Sequence, residues 1–241
     1  MKDTGRALVT GGAVRVGRAI ALALAEAGHH VAVHYHSSRD AAKEVVAAIR
    51  AAGRRALAVQ ADLSAPGEIP PLFERVAHEL GGLDLLVNNA AIFPHATLEE
   101  VTPEEWDRVF ALNARAPFLC ARAAARLMGE AGGSIVNIAD IAGFEAWPGY
   151  VPYAATKAAL ISLTRGLALA WAPRIRVNAV APGPVLLPSG TPEREARATA
   201  RLTAMGRIGT PEDVARAVLY LAGAEYVTGE VLRVDGGKHL R

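Results

Sequence analysis

Short runs rich in Val, Leu and Ile alternate along the chain with longer Ala-rich segments whose apolar residues recur at helical spacing. The short runs predict strands, because β-branched residues favour extended backbone, and the longer segments predict amphipathic helices. The predicted strands lie at residues 6–10, 30–35, 55–60, 83–88, 134–138, 175–180 and 230–235.

Helices are predicted between these strands. They lie at residues 17–27, 40–52, 103–128 and 153–171, with one more ending before Gly81 and another beginning at Pro211. Thr102 and Thr210 each precede a proline and two acidic residues, which is a helix-start pattern, and a bend is expected near Pro117. Regular alternation of strand and helix predicts an α/β fold: a doubly wound, seven-stranded parallel sheet flanked by helices on both faces.

Residues 1–241 are expected to form a single domain, because their number suits one α/β unit and no linker or repeat interrupts them. One long irregular segment, at residues 181–209, contains four prolines and an Arg/Ala/Glu-rich middle that favours a short helix. Segments of this length inside a domain are usually functional, so residues 183–209 are predicted to form a substrate loop or lid.

Composition excludes several classes of protein. A hydrophobic fraction of 51% argues against disorder, and a net charge of +2 gives no basis for binding nucleic acid or an anionic membrane. Charged or Gly residues interrupt every apolar run before about 18 residues, so no membrane span is expected. The single Cys120 and an N-terminus without a long apolar run favour a reducing, cytoplasmic location.

A glycine-rich turn follows the first predicted strand and precedes the first predicted helix, at residues 10–17. Such a turn lets a helix N-terminus face a pyrophosphate, although an ordinary strand–helix turn would need similar glycines. Its spacing is Thr-Gly-x-x-x-Arg-x-Gly, rather than the Gly-x-Gly-x-x-Gly of many dinucleotide sites.

That turn and the motifs after it together resemble the short-chain dehydrogenase/reductase family. The other motifs are Asp62-Leu63, Asn88-Asn89-Ala90-Ala91, Asn113, Tyr153-Ala154-Ala155-Thr156-Lys157, Pro182-Gly183 and Asp235-Gly236-Gly237. The resemblance covers almost the whole chain, and it implies a Rossmann fold, a nicotinamide cofactor and an oxidoreductase activity.

Several positions resemble one branch of that family, the pteridine reductases. Arg15 stands where the family usually has Gly, and Asp140 stands where most members carry the catalytic Ser. Phe93 and the run His34-Tyr35-His36 also match this branch, and residues 234–241 are similar to the end of bacterial dihydromonapterin reductases. The branch implies NADPH-dependent reduction of a dihydropterin or a dihydrofolate-like ring.

The end of the second predicted strand indicates the form of the cofactor. No acid precedes Asp40 to hold a ribose 2′-hydroxyl, so NADP(H) is expected, although Ser37 stands where the branch often has Arg. Expected cofactor-binding residues are Gly11, Arg15, Val16, Gly17, His34, Tyr35, His36, Ser37, Ser38, Asp62, Leu63, Asn89, Ala90, Ala91, Tyr153, Lys157, Pro182, Gly183 and Val185. His34 and His36 have no third metal-binding residue at suitable spacing, so no metal is expected. The alternative to their binding cofactor is that both are strand-end residues that bind nothing.

Tyr153 and Lys157 are four residues apart, so they share one helix face. A neighbouring ammonium is expected to lower the pKa of the phenol, as general acid–base work requires. The resemblance implies that Lys157 also binds the nicotinamide ribose, and that Asn113 holds a water that relays protons to Lys157.

Asp140, Phe93 and Arg15 are the candidate substrate residues beside Tyr153. A carboxylate would repel the oxyanion of a reduced ketone unless it is protonated, whereas it suits a ring with N–H groups. The branch resemblance implies that Asp140 donates a proton to the ring; the alternative is a damaged site. Phe93 is expected to stack on a flat heterocycle, and the alternative for it is simple core packing. Arg15 is expected to hydrogen-bond the pterin edge or a phosphate, and the alternative for it is an exposed turn residue.

Two other functions remain open from the sequence. One is a 3-oxoacyl-carrier-protein or other ketone reductase of the same family, and the other is a non-catalytic NADP(H)-binding redox sensor. The resemblance also implies a homo-oligomer, a tetramer or dimer formed through the helices near residues 112–128 and 153–171.

Overall fold

Seven parallel strands form one sheet in the computed structural model, which describes residues 5–187 and 190–241. The strands are β1 (Arg6–Val9), β2 (His30–Tyr35), β3 (Ala56–Gln60), β4 (Leu85–Asn88), β5 (Gly133–Ile138), β6 (Ile175–Pro182) and β7 (Val231–Val234). Their order across the sheet is β3-β2-β1-β4-β5-β6-β7. Each predicted strand is present within about two residues of its expected bounds, as is usual for strand ends.

Eight α-helices connect or flank the strands in the described part of the chain. They are α1 (Arg15–Glu26), α2 (Arg39–Ala51), α3 (Ile69–Leu80), α4 (Pro103–Phe110), α5 (Ala116–Met128), α6 (Val151–Trp171), α7 (Glu193–Arg201) and α8 (Pro211–Gly223). Helices α4 and α8 begin at the predicted caps: Thr102 Oγ1 accepts from the Glu105 N–H at 3.2 Å, and Thr210 forms a reciprocal capping box with Asp213.

Both faces of the sheet are covered, as the strand composition predicts. Neighbouring residues of β1 enter different cores, Ala7 and Val9 on one face and Leu8 on the other. Helices α1, α2 and α8 pack on the first face, and α3, α5 and α6 on the second. The prediction of a doubly wound parallel sheet is therefore confirmed. The strand order reverses between β1 and β4, which is where such sheets bind ligands.

The helix predicted at residues 103–128 is interrupted shortly before Pro117, near which a bend was expected. A π-helical turn, Ala111–Arg115, separates α4 from α5 one turn before Pro117. Proline has no N–H to donate to the carbonyl four residues earlier, which belongs to Asn113, so regular α-helix cannot run through this point. The distortion thus falls on a residue that the family resemblance assigns to the active site.

Two other expectations bear on the surroundings of the sheet. The Arg/Ala/Glu-rich stretch of the predicted lid does form a helix, α7, while Pro188 and Ser189 of that segment lie outside the described residues. Cys120 is buried in the core below α5, and burial raises the pKa of its thiol to about 12. Across the described ranges, no helix combines the length and apolar character needed to traverse a bilayer.

Candidate active site

The glycine-rich turn between β1 and α1 is shaped for close approach of a ligand. Gly11 has a φ of +60°, which favours glycine, and a side chain at Gly17 would place its Cβ 2.1 Å from the Gly11 carbonyl oxygen. Asn89 fixes the turn against the end of β4, because its Nδ2 donates to the carbonyl oxygens of Thr10 at 2.9 Å and Gly11 at 3.1 Å. The turn therefore presents backbone at the N-terminus of α1, as a pyrophosphate site requires.

His34 holds the same turn from the other side. Its Nδ1 accepts a hydrogen bond from the Gly11 N–H at 3.0 Å, so the Nε2–H donates to the Ala61 carbonyl at 3.0 Å. Burial lowers the pKa of this imidazole to about 4, and the ring is therefore neutral at physiological pH. Both ring nitrogens are engaged within the protein, so the ring orients the turn; a direct contact of His34 with cofactor stays a prediction.

Arg15 occupies an unusual backbone position at the start of α1. Its φ is +53°, and among the described residues it alone has a positive φ without being glycine. That conformation explains why glycine is common here and costs roughly 1–2 kcal/mol for another residue. The Arg15 side chain crosses the mouth of the site, where Nη2 donates to the Leu186 carbonyl at 3.3 Å. Arg15 thus links the phosphate turn to the predicted lid.

One cavity of about 610 Å³, the active-site cavity, lies along the carboxyl ends of the strands at this switch point. It gathers most of the predicted cofactor, catalytic and substrate residues: Gly11, Arg15, Val16, Gly17, His34, His36, Asp62, Leu63, Asn89, Ala90, Ala91, Phe93, Asp140, Tyr153, Lys157, Pro182, Gly183 and Val185. Leu186, Leu187 and Thr199 of the predicted lid and Lys238 near the chain end also line it, although none of the four was predicted individually. No motif marks these four residues; only their place in the lid and near the chain end brings them here.

Four predicted site residues are not among the described walls of that cavity. Tyr35 is buried in the core as part of β2, while Ser37 and Ser38 lie beyond the strand end. Asn113 is buried, and its side chain holds one backbone residue: Oδ1 accepts from the Ile92 N–H at 2.9 Å and Nδ2 donates to the Ile92 carbonyl at 2.8 Å. The water that Asn113 is expected to hold stays a prediction.

Three ionisable side chains meet deep in the cavity. The Tyr153 hydroxyl donates to Asp140 Oδ2 at 2.8 Å, and Asp140 Oδ1 accepts from the Ala142 N–H at 2.8 Å. Lys157 is one turn further along α6, where its Nζ donates to the Ile138 carbonyl at 2.8 Å and lies 5.5 Å from the centre of the Tyr153 ring. The predicted sharing of one helix face by Tyr153 and Lys157 is correct.

The expected effect of Lys157 on Tyr153 is wrong in this structure. Burial raises the pKa of the Tyr153 phenol well above its usual value, and the neighbouring Asp140 raises it further. Burial also lowers the pKa of Lys157 to about 8, with Asp140 opposing that shift, and it raises the pKa of Asp140. Because Asp140 occupies the position nearest the phenol, Tyr153 is held as a neutral proton donor rather than brought toward a phenolate.

An aromatic group walls the outer part of the cavity. The Phe93 ring stacks on Tyr150, with centroids 4.3 Å apart and planes within 5°, and meets Tyr153 edge-on at 4.5 Å. Phe93 remains 50% exposed. One face of the ring expected to stack on a substrate is therefore already covered, and the remainder borders the cavity.

The residues present suit a nicotinamide dinucleotide. The cavity extends from the glycine-rich turn at the N-terminus of α1, where a pyrophosphate would bind, to Tyr153 and Lys157. Beside the end of β2, the cavity wall carries His36 and Arg15, with no acid before Asp40, which suits a 2′-phosphate. Among the described residues, no group of three His, Cys, Asp or Glu side chains is arranged to hold a metal.

Comparison with known proteins agrees with this geometry. A family model described as Enoyl-(Acyl carrier protein) reductase matches residues 12–239. The chain belongs to the short-chain dehydrogenase/reductase family. As a member of that family it is an oxidoreductase. Two similar solved structures are described as complexes with NADPH or NADP, in agreement with the cofactor that the acid-free end of β2 predicts.

Short-chain reductases of several kinds are similar to this chain. Versicolorin reductase 1 of Aspergillus parasiticus is 40% identical, with 96% of this chain and 95% of that protein covered. The 3-oxoacyl-acyl-carrier-protein reductase FabG of Staphylococcus aureus is 37% identical over the whole of both chains. Among solved structures, the angucycline C-6 ketoreductase LanV with bound NADP has a TM-score of 0.92 at 38% identity, covering 98% of this chain and 96% of LanV.

Proposed function

We propose that this short-chain reductase uses NADPH to reduce a pteridine ring, either a dihydropterin or a dihydrofolate-like substrate. The observation that carries the proposal is the buried pair formed by Tyr153 and Asp140. The Tyr153 hydroxyl donates to Asp140 Oδ2 at 2.8 Å, at two positions where the family resemblance leads us to expect a phenol and a serine hydroxyl. Two acidic groups of this kind suit a substrate whose ring nitrogens accept protons and whose N–H groups donate hydrogen bonds.

The reaction needs one hydride and one proton for each C=N bond reduced. When bound, NADPH would supply the hydride that a ring carbon accepts. Tyr153 protonates the adjacent ring nitrogen, because its raised pKa keeps the hydroxyl protonated at neutral pH. Lys157, a buried cation 5.5 Å from the ring of Tyr153, stabilises the phenolate that this transfer leaves behind.

Asp140 distinguishes a pteridine from a ketone. In ketone reduction the substrate oxygen becomes negative, and an ionised carboxylate next to Tyr153 would repel it. In a pteridine, the same carboxylate accepts hydrogen bonds from ring N–H or amino groups. Burial raises the pKa of Asp140, which favours its protonated form, and we propose that this form donates a proton to a ring nitrogen that Tyr153 does not reach. Phe93 and Arg15, which border the cavity, complete the proposed substrate site.

A ketone reductase is the second candidate, and the named relatives favour it. LanV and FabG are described as reductases of ketone or oxoacyl substrates, and both are similar over nearly their full length. A protonated Asp140 could donate to a carbonyl oxygen as a serine hydroxyl does. A non-catalytic redox sensor is a third candidate, but the presence of Tyr153, Lys157 and Asn113 argues against it.

We also propose, from the resemblance, that the protein is a cytoplasmic homo-oligomer.

One assay separates these candidates. Purified protein with NADPH is tested against a dihydropterin, dihydrofolate, an oxidised pterin, a 3-oxoacyl thioester and a quinone, and kcat/KM is measured for each. We expect the pteridines to be reduced with the highest kcat/KM. Activity confined to the thioester would contradict the pteridine proposal, and binding of NADPH without turnover of any substrate would favour the sensor.

A further inference from the structure

A second cavity of about 420 Å³ adjoins the active-site cavity, and Ile141 and Lys238 line both. The new cavity lies between the turn that follows β5 and the end of the chain. Its other described walls are Phe144, Glu145, Leu202, Arg233, His239 and Arg241. An extension of a molecule bound beside Tyr153 could therefore reach this second cavity past Lys238.

Positive charge dominates these walls. Glu145 is the acid among them, and its Oε2 is already shared between Lys238 Nζ at 2.5 Å and Trp147 Nε1 at 2.9 Å. His239 Nδ1 is 2.7 Å from Asp235 Oδ2, so its charge when protonated is also balanced. Two arginines remain, and they decide the character of the cavity.

Arg233 and Arg241 have no carboxylate partner in residues 5–187 and 190–241. The Arg233 guanidinium carbon lies 4.2 Å from the centre of the Phe144 ring, and Arg241 Nη1 donates to the Arg201 carbonyl at 3.0 Å. A guanidinium stacked on an aromatic ring keeps its N–H edge available for two-point binding of a carboxylate or phosphate. The whole chain carries a net charge of only +2, so the excess of positive charge at Arg233 and Arg241 is local to this cavity.

We propose that Arg233 and Arg241, beside the ion pair of Lys238 with Glu145, form a basic groove that binds an anionic tail of the substrate while its ring lies beside Tyr153. The inference rests on the proposed function and makes it narrower. The preferred substrates are pteridines that carry a carboxylate or phosphate extension, rather than pterins with a short neutral side chain. Arg233 acts in specificity: it binds the tail and takes no part in hydride or proton transfer.

The test compares three substrates that share the ring. These are dihydrofolate, which ends in a glutamate dicarboxylate, a phosphate ester of dihydroneopterin, and tail-less dihydropterin. We measure kcat/KM with NADPH for the wild type and for Arg233→Gln, with Arg75→Gln as control, since Arg75 is exposed on α3 away from both cavities. Arg233→Gln should lower kcat/KM about threefold to tenfold for the preferred anionic substrate, mainly through KM.

Tail-less dihydropterin should be unaffected by Arg233→Gln, and Arg75→Gln should leave every value unchanged. Whichever of dihydrofolate and the phosphate ester loses kcat/KM in Arg233→Gln identifies the anion that the groove binds, a carboxylate or a phosphate. Equal kcat/KM for all three substrates, or an unchanged ratio in Arg233→Gln, overturns the groove.

A binding measurement keeps this result separate from the proposed function. Calorimetric titration of folate, and of pterin, into the protein with NADP+ reports affinity without turnover. Tighter binding of folate that Arg233→Gln abolishes supports the groove even if no pteridine is reduced. Failure of folate to bind more tightly than pterin overturns the groove even if dihydropterin is reduced.

Discussion

Tyr153 is the residue on which turnover depends most directly. Its hydroxyl is buried, donates to Asp140 and keeps its proton because burial and Asp140 both raise the pKa of the phenol. A general acid of this kind must be strong enough to release the proton only as negative charge develops on the substrate. Lys157, whose pKa burial lowers to about 8, is the cation that makes this release possible at neutral pH.

Tyr153→Phe removes the proton donor and keeps the ring. We expect kcat to fall by about 10²–10⁴, the usual contribution of a general acid, while the dissociation constant of NADPH changes little. Tyr150→Phe is the matched control, because Tyr150 stacks on Phe93 through its ring. Steady-state kinetics and NADPH fluorescence titration measure the two effects. A kcat for Tyr153→Phe close to that of the wild type would show that another group is the acid.

Asp140→Ser separates the pteridine proposal from the ketone alternative. Oxidised pterins and dihydropterins take protons at different ring nitrogens, so reduction of an oxidised pterin should collapse when the Asp140 carboxyl is lost. Reduction of dihydropterin should fall less, because Tyr153 supplies that proton and the serine hydroxyl still bonds the ring. Asp140→Asn, which keeps the shape of the side chain, should resemble Asp140→Ser on oxidised pterin. The measurement is kcat/KM on oxidised pterin, dihydropterin and a 3-oxoacyl thioester.

The opposite pattern belongs to a ketone reductase. Serine would restore the arrangement common in the family, so Asp140→Ser would gain activity on the thioester. Such a gain with unchanged pterin rates would remove the basis for assigning Asp140 to a pteridine.

At the scale of single residues, the sequence identified Tyr153, Lys157 and Asp140 but did not predict their electrostatics. Spacing placed Tyr153 and Lys157 on one helix face, and the structure confirms that. Spacing could not show that Asp140, thirteen positions away, would contact the phenol, or that burial would outweigh the effect of Lys157. Both depend on how β5 and α6 pack, which is a tertiary property.

Among the elements, the turn between β1 and α1 depends on a histidine from the neighbouring strand. His34 closes a bridge from Gly11 to Ala61, and only its neutral form can accept from the Gly11 N–H. Burial lowers the pKa of this imidazole to about 4, from its ordinary value of about 6.5 in an unfolded chain. Between these two values the unfolded chain binds a proton that the folded protein does not, so stability falls as the pH falls through that window.

We expect His34 to make the folded protein about 2 kcal/mol less stable at about pH 5 than at about pH 7. His34→Gln retains one acceptor and one donor without a titratable group, so it should flatten this part of the pH dependence. His36→Gln, at an exposed position next to β2, is the control. Urea unfolding of the three proteins at both pH values gives the comparison. If the free energy of unfolding changed equally between the two pH values in His34→Gln and in the wild type, the role assigned to His34 would be contradicted.

The elements themselves were largely predictable, and the exceptions have local causes. Alternating runs located every strand because both faces of the sheet are buried and the runs are continuous. The interruption before α5 lies near Pro117, but its form as a π-helical turn was not predicted. Pro117 has no N–H to donate to the carbonyl of Asn113, four residues earlier, so the distortion falls before the proline. The lid residues that line the active-site cavity, Leu186 and Leu187, have no periodic pattern and could not be assigned from sequence.

At the scale of the whole molecule, one face of α6 has no neighbour among the residues that the structure describes. Along α6 the exposed positions recur every three or four residues and carry mostly small or apolar side chains: Ala158, Ser162, Arg165, Gly166, Leu169 and Ala170. Leu169 is 85% exposed on this face. Small residues at such spacing allow two helices to approach closely, and the resemblance implies an oligomer formed through this helix and α5.

We therefore expect the protein to assemble through the exposed face of α6 and to depend on Leu169 for that assembly. Wild-type protein should elute with a light-scattering mass of about two or four times 25.2 kDa. Leu169→Glu places a charge in the buried contact, where like charges from symmetry-related copies meet, so the mass should shift toward 25.2 kDa. Leu98→Glu, at another exposed leucine that lies outside both helices, should leave the assembly intact. A wild-type mass equal to that of one chain would contradict the expectation, and a Leu169→Glu oligomer of unchanged mass would place the contact elsewhere.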